Sequence, residues 1–286
     1  AMEDVKAQLQ DVKAQLGLHD PVLVNKVKRA SVRIGIYKTA TKKLISLGSG
    51  TLIDAGPGAP VGQVLSAAHL FVRADNPALP PYVDPAIDWK SMNAPFLILV
   101  GMYQADDQPS CWAFWAELMT PLSVLQTTNP LPWSKTLVDL AVLCIRGKIE
   151  MSPKVFTGPG LSETFEVVNR SNAATPLSLP DGIQLGEPLA VQTGINMVTV
   201  FGWFAPNEED SLYMTQSEKI ISNAHGLLIS QALLHTAGSG GAQVDPQGRL
   251  LAVNSRSSDP AIPMPREYKA YGRMISDLLP THGLET

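Results

Sequence analysis

At 286 residues, 45% hydrophobic and 17% charged, the chain has enough apolar mass for a sizeable core and for one or two domains. Its net charge is −4 and no stretch is strongly basic, which argues against a nucleic-acid partner. No apolar run reaches transmembrane length, so no membrane partner is expected, and the polar, charged start lacks the pattern of a secretory signal.

The first predicted element is a helix over residues 2–16. Asp4-Val5-Lys6-Ala7-Gln8-Leu9-Gln10 is followed by Asp11-Val12-Lys13-Ala14-Gln15-Leu16-Gly17, a near-perfect seven-residue repeat. Met2, Val5, Leu9, Val12 and Leu16 recur by three and four and fall on one stripe. Leucine at the first core position with valine at the second favours trimers or tetramers of a coiled coil. Gly17 marks the helix end. Two heptads are short for independent association, so the helix either joins copies of the chain into a homo-oligomer or lies on the domain after it. Residues 1–17 are read as this helical segment and 18–286 as the main domain.

Most of the remaining chain reads as strands. Val32, Ile34 and Ile36 alternate with other residues, the period of a half-buried strand. Residues 48–53 and 63–65 form a hairpin that leads into Ser66-Ala67-Ala68-His69. Residues 73–95, with Pro77, Pro80, Pro81 and Pro85, read as a surface insertion. Further strands are expected at 96–100 and 112–115, then a loop over 121–135 carrying Trp133. Asp139 precedes the apolar run 140–145. Residues 151–182 read as a linker, and strands resume at 188–192, 197–203, 216–221 and 226–232. Gly238-Ser239-Gly240-Gly241 then opens a hairpin whose turn is Asp245-Pro246-Gln247-Gly248. Residues 268–279 are predicted to form a closing helix. Cys111 and Cys144 have no metal-type spacing and read as buried thiols. No metal or cofactor is called for, and so few cysteines fit an intracellular or organellar setting better than a secreted one.

Three short motifs carry chemistry: His69 after Ser66-Ala67-Ala68, Asp139 before Leu140-Ala141-Val142-Leu143, and Ser239 within Gly238-Ser239-Gly240-Gly241. A serine hydroxyl is a poor nucleophile until a base lies within hydrogen-bond reach and a third group orients that base. Histidine suits the base because it titrates near neutrality, and a buried carboxylate fixes its tautomer. Small residues around Ser239 let backbone N–H groups converge where an oxyanion would form.

Taken with their neighbouring strands, these motifs resemble the trypsin/chymotrypsin superfamily of serine peptidases, and within it the HtrA-like branch, over roughly residues 30 to 280. The resemblance implies an all-β fold of two six-stranded antiparallel β-barrels, about 30–150 and 183–265. The N-terminal coiled-coil-like helix and the C-terminal helix flank them. It implies His69 as general base, Asp139 as its orienter and Ser239 as nucleophile in a serine endopeptidase acting on a protein or peptide substrate. The oxyanion hole would be built from the backbone of Ala237, Gly238 and Ser239, with the N–H groups of Ala237 and Ser239 as donors. Leu233, Asn254, Ser255 and Arg256 would line the substrate pocket. Leu233 supplies no counter-charge for a basic side chain, which favours small or medium apolar residues there. Arg256 would block that pocket, attract an acidic group or remain solvated. Two departures stand out: Ala237 replaces the family's usual glycine, and Gly238 replaces its usual Asp or Asn. They keep open a second expectation, a catalytically weak or inactive relative that binds protein as a scaffold or switch.

Overall fold

The computed structural model describes residues 2–72, 87–106, 112–125, 138–152, 164–172, 177–204, 212–235, 238–256, 270–278 and 280–286. Helix α1 (Met2–Leu16) ends where Gly17 turns to a φ of +81°, in the left-handed region that glycine tolerates best. A side chain at Gly17 would also meet Ser217, whose Cβ and Oγ lie 2.4 Å from the position of a Cβ there. The Leu18 N–H donates to Ser217 Oγ at 3.2 Å, so the helix is pinned at its C-terminal end. Its apolar stripe is uncovered: Val5, Leu9, Val12 and Leu16 are 63%, 53%, 51% and 58% exposed.

Helix α2 (Pro21–Ala30) is not among the expected elements, although its start signal is explicit. Asp20 caps it by accepting from the Val22 N–H, and Pro21 occupies the first turn, where its missing N–H costs nothing. Val27 and Ala30 are its buried face.

The N-terminal sheet comprises β1 (Ser31–Lys38), β2 (Lys43–Asp54), β3 (Gln63–Ser66), β4 (Phe96–Met102), β5 (Trp112–Leu118) and β6 (Ala141–Ser152). Its antiparallel pairings run β1-β4-β5-β6-β3-β2, and β2 pairs again with β1. Val32, Ile34 and Ile36 point inward from β1 with no exposed surface, as their alternation predicts. Strand β7 (Glu166–Arg170) pairs with the far end of β6, and β8 (Ile183–Gln184) runs parallel to β2. Within the expected linker over 151–182, residues 151–152 and 166–170 therefore belong to this sheet. The expected loop over 121–135 begins with α3 (Leu122–Leu125). Residues 73–86 of the insertion, Trp133 and Cys111 lie outside the described residues.

The C-terminal sheet contains β9 (Met197–Trp203), β10 (Leu212–Met214), β11 (Glu218–Ala224), β12 (Leu227–Ser230), β13 (Ala242–Val244), β14 (Leu250–Arg256) and β15 (Ala270–Met274). Pairing runs β9-β11-β12-β15-β14-β13 and returns to β9, a closed six-stranded antiparallel barrel with β10 added at β9. Two expectations are corrected here. Residues 188–192 hold a short 3-10 turn, Pro188–Ala190, rather than a strand. Residues 270–274 form β15 rather than a closing helix, with a 3-10 turn after it at Ile275–Asp277. All five residues of β15 are buried and hydrogen-bonded between β12 and β14, and that environment overrides the helical spacing of the segment.

The two sheets are tied together by buried polar groups. Arg33 of β1, 1% exposed, donates from Nη1 to the Phe204 carbonyl at 2.7 Å, just past β9. Ser49 Oγ accepts from the Trp203 N–H at 3.0 Å.

Candidate active site

Strand β3 delivers His69. It pairs with β2 and β6, and after Ser66 the chain turns into a single 3-10 turn, Ala68–Leu70. Asp139 sits at the entry to β6, the neighbour of β3, so pairing register alone brings the two residues together. His69 Nδ1 and Asp139 Oδ2 are 2.8 Å apart, and the His69 backbone N–H donates to Asp139 Oδ1 at 2.9 Å. The carboxylate thus holds both the ring and the backbone of the same residue. A third donor is the Ser255 hydroxyl, which makes a short hydrogen bond to Asp139 Oδ2.

Asp139 is buried, and burial pushes its carboxyl pKa up. The facing charge of His69 and the hydrogen bonds from the His69 ring, the Ser255 hydroxyl and the His69 N–H outweigh that cost. The net result holds the group below the ordinary carboxylate range, ionised at neutral pH. The His69 side chain keeps 23% of its surface open, against 8% for Asp139, so the pair has a buried end and an accessible end.

The Ser239 loop comes from the other sheet and is seated on this one. The Ser49 N–H donates to the Ser239 carbonyl at 2.7 Å, while the Ser66 hydroxyl donates to the Ser49 carbonyl at 2.7 Å. Ser49 therefore joins the strand that leads to His69 with the expected nucleophile. Gly240, at a φ of +88°, leaves no room for a side chain: a Cβ there would lie 2.0 Å from the Ser49 carbonyl oxygen and 2.5 Å from Ser66 Oγ. Its N–H donates to the Asn254 carbonyl at 2.7 Å. Gly241 faces the Phe201 carbonyl, 2.2 Å from where its Cβ would stand. The small residues of this motif are required by close approach of three backbone segments.

The expected oxyanion backbone is partly described. The Gly238 N–H donates to the His235 carbonyl at 2.9 Å, and the Gly238 carbonyl accepts from the Gly241 N–H at 3.0 Å, so both its polar groups serve the turn. Residue 237 lies outside the described residues.

The expected pocket residues separate. Leu233 is 44% exposed just beyond β12. Asn254 is not on a cleft edge: it has no exposed surface, and its Nδ2 donates to the carbonyls of Phe201 at 2.8 Å and Gly238 at 3.2 Å. It braces the Ser239 loop. The Ser255 hydroxyl is held by the Asp139 carboxylate. The register of β14 against β15 shifts between Asn254 and Arg256, and such a bulge re-aims the intervening side chain. The Arg256 side chain lies outside the description.

Sequence reasoning missed Ser49, and it named Ser255 for the substrate pocket without linking it to Asp139. Ser255 had a readable signal, since a hydroxyl beside a strand-end asparagine near the Ser239 hairpin can serve a buried acid. No group of three or more His, Cys, Asp or Glu among the described residues is arranged to hold a metal ion. Cys144 is a free, buried thiol, and burial pushes its pKa up, away from reactivity. No protein-family model matches the chain, and no curated protein matches it.

Proposed function

We propose that the chain is a trypsin-like serine endopeptidase built on two β-barrels, with His69, Asp139 and Ser239 as its triad. The observation that carries this reading is the Asp139 carboxylate. It is buried, ionised, gripped by Ser255, and directed at the Nδ1 of a histidine whose side chain keeps 23% of its surface open. A structural ion pair needs none of this polarity between a buried and an open end. The seating of the Ser239 loop on the strand leading to His69 supports the same reading.

In the proposed reaction His69 Nε2 takes the hydroxyl proton of Ser239 as Oγ attacks the substrate carbonyl. The tetrahedral oxyanion is held by backbone N–H groups at residues 237 and 239. His69 then gives the proton to the leaving amine, and the C–N bond breaks to leave an acyl-enzyme. Water, deprotonated by the same histidine, attacks the acyl carbon, and the proton returns to Ser239 Oγ as the acid departs. Asp139 stays ionised throughout and stabilises the imidazolium. Leu233 offers substrate an apolar, uncharged surface, which favours small or medium apolar side chains.

The test is covalent labelling with a fluorophosphonate probe. Wild-type chain is expected to label and Ser239→Ala to take no label while keeping its circular dichroism and melting temperature. A folded wild-type chain that takes no label would overturn the reading in favour of a binding scaffold.

A further inference from the structure

We propose that Tyr213 is a positioning residue for the nucleophile loop, its phenol hydroxyl filling the place of the side chain that Gly238 lacks. This rests on the hydrolase reading of Ser239.

Tyr213 stands on β10 opposite Gly202 of β9 and is 6% exposed. A Cβ on Gly238 would lie 2.0 Å from the Tyr213 hydroxyl oxygen and 3.0 Å from Cζ. A Cβ on Gly202 would lie 2.7 Å from the same hydroxyl and 2.9 Å from Gly238 Cα. The hydroxyl is therefore lodged between two glycines, one on a barrel strand and one immediately before the nucleophile. Both must be glycine for it to fit.

The hydroxyl is also bonded into the loop. The His235 N–H donates to it at 3.4 Å, and the His235 carbonyl accepts from the Gly238 N–H at 2.9 Å. The rings enclose the same spot: His235 lies 4.7 Å from Tyr213 and 4.5 Å from Phe204, centroid to centroid, and Phe204 lies 5.0 Å from Tyr213. Burial pushes the phenol pKa up, so the group stays a neutral hydroxyl. Gly238 is thereby gripped from two directions, by the Tyr213 hydroxyl and by Asn254 Nδ2 on its carbonyl.

The consequence for chemistry lies in the next peptide. The position of Gly238 sets where the Ser239 N–H points, and an oxyanion donor acts only once the tetrahedral species forms. Loosening the grip should therefore lower turnover and leave substrate binding nearly unchanged. A chain carrying glycine before its nucleophile needs such an external brace, because glycine supplies neither a side-chain anchor nor a restricted backbone.

The experiment is a double-mutant cycle on the full chain. It is read by fluorophosphonate labelling rate, by kcat and KM on a peptide library substrate, and by amide hydrogen exchange of the segment around Ser239. Tyr213→Phe is expected to lower the labelling rate and kcat about tenfold, with KM within about twofold, and to speed exchange in the loop. Gly238→Ala, with tyrosine still present, is expected to lose labelling. Tyr213→Phe combined with Gly238→Ala is expected to label faster than Gly238→Ala alone, because the added methyl takes the vacated space. Wild-type labelling and exchange rates in Tyr213→Phe would overturn the proposal, as would a double variant no better than Gly238→Ala. If wild type takes no label, the hydrolase reading falls, and the exchange of Tyr213→Phe and its recovery in the double variant decide the positioning role on their own.

Discussion

Asp139 links structure to pH at the level of a single residue. Its folded pKa lies below the ordinary carboxylate value of about 3.9. The unfolded chain therefore binds its proton first as pH falls, and the carboxylate adds stability that is fully present above the unfolded pKa. That contribution is lost as pH drops through the folded value. Wild type is expected to lose stability below about pH 4, while Asp139→Asn, which lacks the titration, should show a shallower acid limb in urea melts between pH 5 and pH 2. Ser255→Ala removes one donor from the same carboxylate. It is expected to lower kcat/KM about tenfold, equivalent to about 1.4 kcal/mol in the barrier, with Asp139 and His69 still paired. A Ser255→Ala variant at wild-type activity would assign that hydroxyl to packing alone. Gly240→Ala combines a left-handed backbone with a Cβ driven against the Ser49 carbonyl. It should cost at least about 2 kcal/mol of stability, visible as a lowered urea midpoint.

Among the elements, helix α1 makes the clearest claim about association. Its repeated heptad and its four exposed stripe residues are what a self-associating helix presents, and just past its end Leu18 is bonded to Ser217. Deleting residues 2–16 is expected to lower the solution mass measured by light scattering to that of one chain of the remainder, with wild type running as an oligomer. An unchanged mass would remove the helix from any such role. The features legible in the sequence at this scale obey local rules. The hairpin ending in Asp245-Pro246-Gln247-Gly248 is legible because its turn chemistry is self-contained. Asp245 Oδ1 accepts from the N–H groups of Gln247 and Arg249, and Gly248 takes a φ of +73°. The pairing of His69 with Asp139 is legible for the same reason, each lying within a short backbone motif. Strand β15 is not, because Tyr271, Met274, Ile275 and Leu278 recur at helical spacing. Only pairing with β12 and β14, distant in sequence, decides against a helix. Asn254 and Ser255 depart from expectation because one bulge in β14 decides which side chain faces the acid, and a bulge leaves no mark in composition. Helix α2 carries a complete capping signal at Asp20 and Pro21, which its short length and modest apolar content obscure.

At the scale of the whole molecule, the halves are held by contacts that skip most of the chain. The last described segment returns to the N-terminal sheet. The Gln63 side chain donates to the Glu285 carbonyl at 2.7 Å and accepts from the Glu285 N–H at 2.9 Å, and the Thr120 hydroxyl donates to the His282 carbonyl at 2.7 Å. Gln63→Ala removes both bonds to Glu285 at once. It should cost about 1–2 kcal/mol and lower the melting temperature by roughly 2–8 °C, with the labelling rate of Ser239 retained.

That return has a bearing on how the protein is made. A ribosome releases β1 to β6 long before residues 280–286 exist, while Gln63 and Thr120 wait for partners that have not been translated. The earlier half therefore completes these hydrogen bonds only after His282 and Glu285 emerge. Nascent chains stalled before residue 280 should show the N-terminal sheet as protease-sensitive, and chains carrying residues 280–286 should not.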